Sequence, residues 1–205
     1  MPVKAKSSLW LPILLMVGFA LTRWPGLLPW NFSAAYGLAF CAGVYFPRRL
    51  AWWLPLATLL TTDVFLNVFY YHVSPVSTDM LLNYAAYAAI IGLGQRFSAR
   101  ASWLKLVTGS LAGAVLFYLV TNTASWLQNP AYAKTVAGWI QALTTGVPGL
   151  PPTWMFFWKT LLSSGLFTGL FVGAMKFNEA LEAKSEEQDE PAGEASDAEP
   201  EETKA

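Results

Sequence analysis

Before position 178 the sequence holds almost no acid. Asp63 and Asp79 are its only carboxylates there, against eleven lysines and arginines. Cysteine is just as scarce. Cys41 is the single one and lies in an apolar run, so neither an internal disulfide nor a CxxC pair can form. Its simplest role is that of a small buried hydrophobe. The single histidine, His72, has no Cys or Glu nearby, and one imidazole with a distant Asp is too few ligands for a metal. HExxH, GxSxG and Walker A patterns are missing, and no two apolar runs each bring an Asp. These absences argue against an enzyme, a metal centre and a resident cofactor. The basic residues are scattered between apolar runs, which argues against a nucleic-acid partner.

What is abundant is apolar surface. The apolar fraction is 55% and the charged fraction 13%, against roughly 45–50% and 25% in soluble domains. Such a balance points to a lipid bilayer as the solvent. The net charge of zero conceals a split. Residues 1–177 carry eleven basic and two acidic residues, a net +9, while residues 178–205 carry two basic and eleven acidic ones, a net −9. The segment 178–205 is also poor in apolar residues, and so is expected to be a disordered acidic cytoplasmic tail.

The fold expected is all-α: a polytopic membrane protein with six transmembrane helices at about 9–23, 32–46, 50–71, 80–94, 104–126 and 154–175. The basic start with Lys4 and Lys6 has a signal-like look. No small-x-small cleavage site follows, so the first segment is read as a retained span. The second span carries Ala35, Ala39 and Gly43 at helical spacing, which suits close packing of helices in lipid. In the linker before the last span, Val136, Trp139, Ile140 and Leu143 fall at i, i+3, i+4 and i+7. That is one face of a short interfacial helix.

Loop charge sets the expected orientation. With the N-terminus inside, Arg48, Arg49, Arg96, Arg100 and Lys105 face the cytoplasm, and only Arg23 and Lys134 lie in outer loops. Six spans place both termini in the cytoplasm, in a cell inner membrane. The tryptophans fall near span ends or linkers, as interfacial anchors do.

Asp63 and Lys159 are the ionisable residues set deepest in apolar runs. An ionisable group at that depth costs several kcal/mol unless it meets a partner, a cavity or water. In this topology both sit in the outer half of the bilayer, together with several uncharged polar groups. The expected site is an outward-facing cavity for an unknown small polar solute, formed by Asp63, Asn67, Asn122 and Lys159, with Asn31 and Tyr36 at its mouth. The competing reading is a structural or assembly subunit. In it Asp63 and Lys159 simply pair, and the asparagines join helices.

Three stretches resemble a known family. They are Asn31-Phe32-Ser33-Ala34-Ala35 running through Gly43 to Arg48-Arg49, then Leu54-Pro55-Leu56 with Thr62-Asp63, and Thr121-Asn122-Thr123-Ala124-Ser125-Trp126 followed by Tyr132-Ala133-Lys134-Thr135-Val136-Ala137-Gly138. They look like corresponding stretches of DUF6580, an uncharacterised bacterial membrane family associated with transport. The similarity covers about residues 10–175. More loosely, the six-span plan is similar to the substrate-binding (S) components of energy-coupling factor transporters. That resemblance implies a solute held on the outer side under the loops at 24–31, 72–79 and 127–153, and a separate energy-coupling module as partner. The first span carries Gly18-x-x-x-Thr22 where such components often show Ala-x-x-x-Ala.

Overall fold

The structure is a computed structural model and describes residues 10–189. It contains seven helices and, among the described residues, no strand: α1 (Trp10–Thr22), α2 (Ala35–Tyr45), α3 (Arg48–Phe69), α4 (Thr78–Gly94), α5 (Trp103–Gln128), α6 (Val136–Leu143) and α7 (Thr153–Asp189). Local chemistry sets their limits. Pro47 precedes the first turn of α3, where its missing N–H costs nothing. Ser102 and Thr135 cap α5 and α6, accepting from the N–H of Lys105 at 3.3 Å and of Gly138 at 3.2 Å. Gly146 and Gly149 have φ of +73° and +86°, a conformation that suits glycine and turns the chain between α6 and α7.

The chain divides into two units, Met1–Gly173 and Ala174–Ala205. In the first, α2 is the central element. Every residue from Ala35 to Gly43 is buried, and α2 touches α1, α3, α4 and α5. It is apolar on all sides, as a helix enclosed by others must be. Its approach to α4 is limited by backbone rather than side chains. A Cβ on Gly43 would strike the carbonyl of Ile91, and one on Gly94 would strike the carbonyl of Phe40. Gly37 plays the same part toward α7, where an added Cβ would lie 2.8 Å from the Thr168 nitrogen. Small residues are what let helices come this close in lipid.

A buried hydroxyl cluster joins α5 to α7. Thr168 Oγ1 donates to Ser110 Oγ at 2.6 Å, Ser110 and Ser164 share a hydrogen at 2.7 Å, and Ser164 also donates to the Ser110 carbonyl at 3.2 Å. Buried hydroxyls must find protein partners, and here they find one another. Apolar side chains are exposed along two helices: Ile13, Leu14, Val17 and Leu21 on α1, and Leu162, Leu166 and Leu170 on α7. Such faces are compatible with a membrane protein.

Three segments are long and apolar enough to cross a membrane by themselves: Arg48–Phe69, Trp103–Gln128 and Thr153–Ser185. The other expected spans are helical but shorter. The apolar segments Ile13–Thr22 and Ala35–Tyr45 fall below that length, and α4 has 17 residues. At about 1.5 Å rise per residue, α2 is only some 16 Å long, well under the roughly 30 Å hydrocarbon core.

The second unit corrects one expectation. Disorder was expected from Asn178, yet α7 stays helical through Asp189. Glu179, Ala180, Leu181, Glu182, Ala183 and Lys184 are all strong helix formers, and the Asn178 amide donates to Glu182 one turn on, at 2.7 Å. The rest of the acidic segment lies outside the described residues.

Candidate functional site

The N-terminal ends of α2, α4 and α7 and the C-terminal half of α5 meet at one end of the first unit. Three adjoining cavities lie between them. The largest, about 550 Å³, is walled by the α1–α2 loop from Thr22 to Ser33, with Tyr36, Tyr71, Tyr87 and Phe156. A second, about 320 Å³, lies deeper and is bounded by Asn31, Tyr36, Asn83, Tyr87, Phe117, Tyr118, Thr121, Asn122, Thr153, Phe156 and Thr160. The two share Asn31, Tyr36, Tyr87 and Phe156. A third, about 400 Å³, opens between α4 and α5 beside Asp79 and Gln128, and shares Asn83 and Thr121 with the inner cavity. We call these the loop, inner and side cavities.

An aromatic cluster forms the partition between the loop and inner cavities. Tyr36 stacks on Tyr87 with centroids 6.0 Å apart, and Phe117 lies 4.9 Å from each. Tyr36 and Tyr87 are both buried. Asn31, in the loop just before α2, has a φ of +59°, a left-handed conformation that Asn tolerates better than most residues. That turn brings its side chain to the boundary of both cavities.

The α5–α7 connection is fastened close by. Tyr118 donates to the Leu143 carbonyl at 2.5 Å, and Trp139 Nε1 donates to Thr123 at 2.9 Å. Trp126 Nε1 donates to the Ala133 carbonyl at 2.8 Å. Lys134 gives its ammonium to the carbonyls of Trp126 and Asn129 at the end of α5, where a cation suits the helix dipole. These bonds hold α6 against α5 as a short shoulder above the inner cavity, which Tyr118 also lines.

The structure redistributes the charges that the sequence suggested. Asp63 meets Arg23, in the one ion pair among the described residues, and not Lys159. Arg23 reaches Oδ1 from the end of α1, while Tyr84 on α4 donates to Oδ2 at 2.7 Å. Each carboxylate oxygen is thus engaged by a different helix or helix end. The Arg23 guanidinium also lies 5.9 Å from the Phe19 ring centre and lines the loop cavity. Lys159 is half-buried, makes no ion pair or hydrogen bond among the described residues, and lines none of the three cavities. The expected Asp63–Lys159 grouping does not form, because helix rotation sends the two side chains to different neighbours.

The remaining expected site residues divide in the same way. Asn31, Tyr36 and Asn122 line the inner cavity. Asn122 donates through Nδ2 to the Tyr118 carbonyl at 2.8 Å, which leaves its Oδ1 free to accept. Asn67 instead ties the end of α3 to the following loop, donating to the Pro75 carbonyl at 3.2 Å and resting 3.5 Å from Met80 Sδ. It lines none of the three cavities.

Arg23, Phe117, Phe156 and Thr160 were not among the expected site residues. Arg23 did carry a signal. It is one of only two basic residues in the expected outer loops, an exception to the charge bias that needs a carboxylate to explain it. The other three are ordinary members of apolar helices, and nothing in their local sequence marks them.

Residues 3–186 match the sequence model of a family described as a family of unknown function, DUF6580. No curated protein and no solved structure matches the chain.

Proposed function

The chain belongs to the DUF6580 family, and we propose that it is an integral membrane protein that binds a small polar solute at the outer end of its helix bundle, as part of solute uptake. One observation carries this reading. Polar groups from the α1–α2 loop, α2, α4, α5 and α7 converge on adjoining cavities that share Asn31, Tyr36, Tyr87 and Phe156. Amide and hydroxyl groups set between aromatic rings can orient a small molecule, and about 320 Å³ lies within the usual size range of such sites.

In this reading all six expected segments lie in the bilayer. The long helices α3, α5 and α7 span it, while the shorter α1, α2 and α4 enter without reaching across by themselves, which leaves room for the cavities at the outer end. Both termini are cytoplasmic, following the loop charges. The chain binds and passes its solute rather than transforming it. It has no nucleotide-binding motif, so uptake against a gradient calls for a separate energy-coupling module.

A second reading is a structural subunit whose polar groups only join helices. The Arg23–Asp63–Tyr84 contact and the Ser110–Ser164–Thr168 cluster favour it, since both act across helices. Thermal unfolding of the detergent-solubilised protein separates the two, measured against a panel of vitamins, nucleobases, sugars and amino acids. A compound bound only by the folded state raises the melting temperature with concentration. A rise that Asn122→Ala abolishes supports the site. A flat response across the panel supports the structural subunit.

A further inference from the structure

We infer that the inner cavity takes an uncharged hydrogen-bonding solute and excludes ions; this rests on the solute-binding reading above and names the class of solute. No Lys, Arg, His, Asp or Glu lines that cavity. Asp79 lines the adjoining side cavity and not this one, and the charged pair beside the loop cavity is internally matched. Asp63 gives one oxygen to Arg23 and the other to Tyr84, so the pair offers its neighbours neither a free anion nor an uncompensated cation. Lys159, the remaining cation at comparable depth in its span, does not line it. An ion entering would leave water without meeting a counter-charge, which is the costly case.

What the cavity does offer is neutral hydrogen-bonding capacity. Asn31 and Asn83 make no side-chain hydrogen bond among the described residues, so both amides have donors and acceptors to spare. Asn122 keeps its Oδ1 as an acceptor. Thr160 donates to the Phe156 carbonyl at 2.9 Å and its hydroxyl also meets that of Tyr36, so it adds a neutral polar wall rather than a spare acceptor. Between these groups lie the rings of Phe117 and Tyr87, 4.9 Å apart. An amide edge beside an aromatic face fits a neutral solute with polar groups on its rim and an apolar face.

Charge exclusion can be tested without knowing the solute. Thiol-modifying methanethiosulfonates come as a near-isosteric set: hydroxyethyl (uncharged), sulfonatoethyl (anionic) and trimethylammonioethyl (cationic). Each reacts with a cysteine thiolate to form a disulfide and release methanesulfinate. Asn122→Cys and Thr160→Cys each place a thiol on the inner cavity and not on the other two. Two positions guard against one variant failing to fold. The parent chain, whose Cys41 is fully buried, supplies the background. Rates are divided by each reagent's rate with free 2-mercaptoethanol. The uncharged reagent should then react faster than either ion by about tenfold or more, because only the ions lose hydration without compensation. Ionic reagents reacting as fast, or faster, would overturn the inference and leave the solute site standing. No reaction with any reagent at either position would mean a closed cavity, and would overturn both readings together.

Discussion

Tyr84 on α4 donates its hydroxyl to Asp63 Oδ2 on α3 at 2.7 Å, so the only acid in an apolar run has no free oxygen left once Arg23 takes the other. Three helices are tied at one point: α3 and α4 through these side chains, and α1 through the arginine that follows it. The loop that walls the largest cavity begins at that same arginine. The Arg23–Asp63 pair therefore anchors that wall, while the inner cavity is lined by neutral groups.

Arg23→Gln should strand the Asp63 carboxylate. Fully buried pairs lose about 3–5 kcal/mol when one partner is removed. Arg23 and Asp63 are 20% and 22% exposed, so water relieves part of that, and a loss of about 1–3 kcal/mol is expected. Arg23→Gln with Asp63→Asn should be more stable than Arg23→Gln alone, since no orphan charge remains. Thermal unfolding in detergent measures both. A double variant no better than the single would mean that the pair is not what holds these helices.

Lys159 should be energetically deaf to Asp63. A double-mutant cycle with Lys159→Gln and Asp63→Asn should be additive to within about 0.5 kcal/mol, as for residues without shared partners. Coupling above about 1 kcal/mol would place the two side chains in contact and restore the grouping first read from the sequence.

Gly94→Ala should be strongly disruptive, because its Cβ would meet the Phe40 carbonyl and the Gly43 backbone, neither of which can turn aside. Overpacking of this kind costs about 1–3 kcal/mol, with backbone contacts at the upper end. Gly92→Ala is the control on the same helix. Its Cβ would have Trp52 at 3.7 Å, an ordinary contact, and its melting temperature should hold. Equal losses at the two positions would rule out the close α2–α4 crossing.

The helices were legible in the sequence to within a few residues, except that α7 runs on to Asp189, well past the expected end at 175, because apolar runs between Pro, Gly and Arg punctuation mark where a span stops and not where a helix does. Even α6 was visible, since Val136, Trp139, Ile140 and Leu143 repeat at one face. Which way each helix turns was not legible. In a soluble bundle the polar stripe reports the outward face. Here α2 is apolar on every side and exposed α7 positions such as Leu162, Leu166 and Leu170 are leucine, so no polar stripe exists to read. Asn31 and Tyr36 could be placed at the cavity because they sit at or just before the start of α2, where depth alone sets the neighbourhood. Asn122, Asp63 and Lys159 lie further along their helices and Asn67 lies near the end of α3, and for these four helix rotation decides. Of these, Asp63 went to Arg23, Asn67 to the α3–α4 loop, and Lys159 to neither cavity nor partner.

Thr153, Phe156 and Thr160 on α7 close one side of the inner cavity, and Ser164 and Thr168 on the same helix satisfy Ser110. All belong to α7, which follows α5 in chain order. Without it, Ser110 on α5 loses both of its hydroxyl partners and the inner cavity loses one wall. A chain cut before Thr153 would hold every earlier helix and still be an unfinished vessel, because one helix both answers the buried hydroxyl and encloses the hollow.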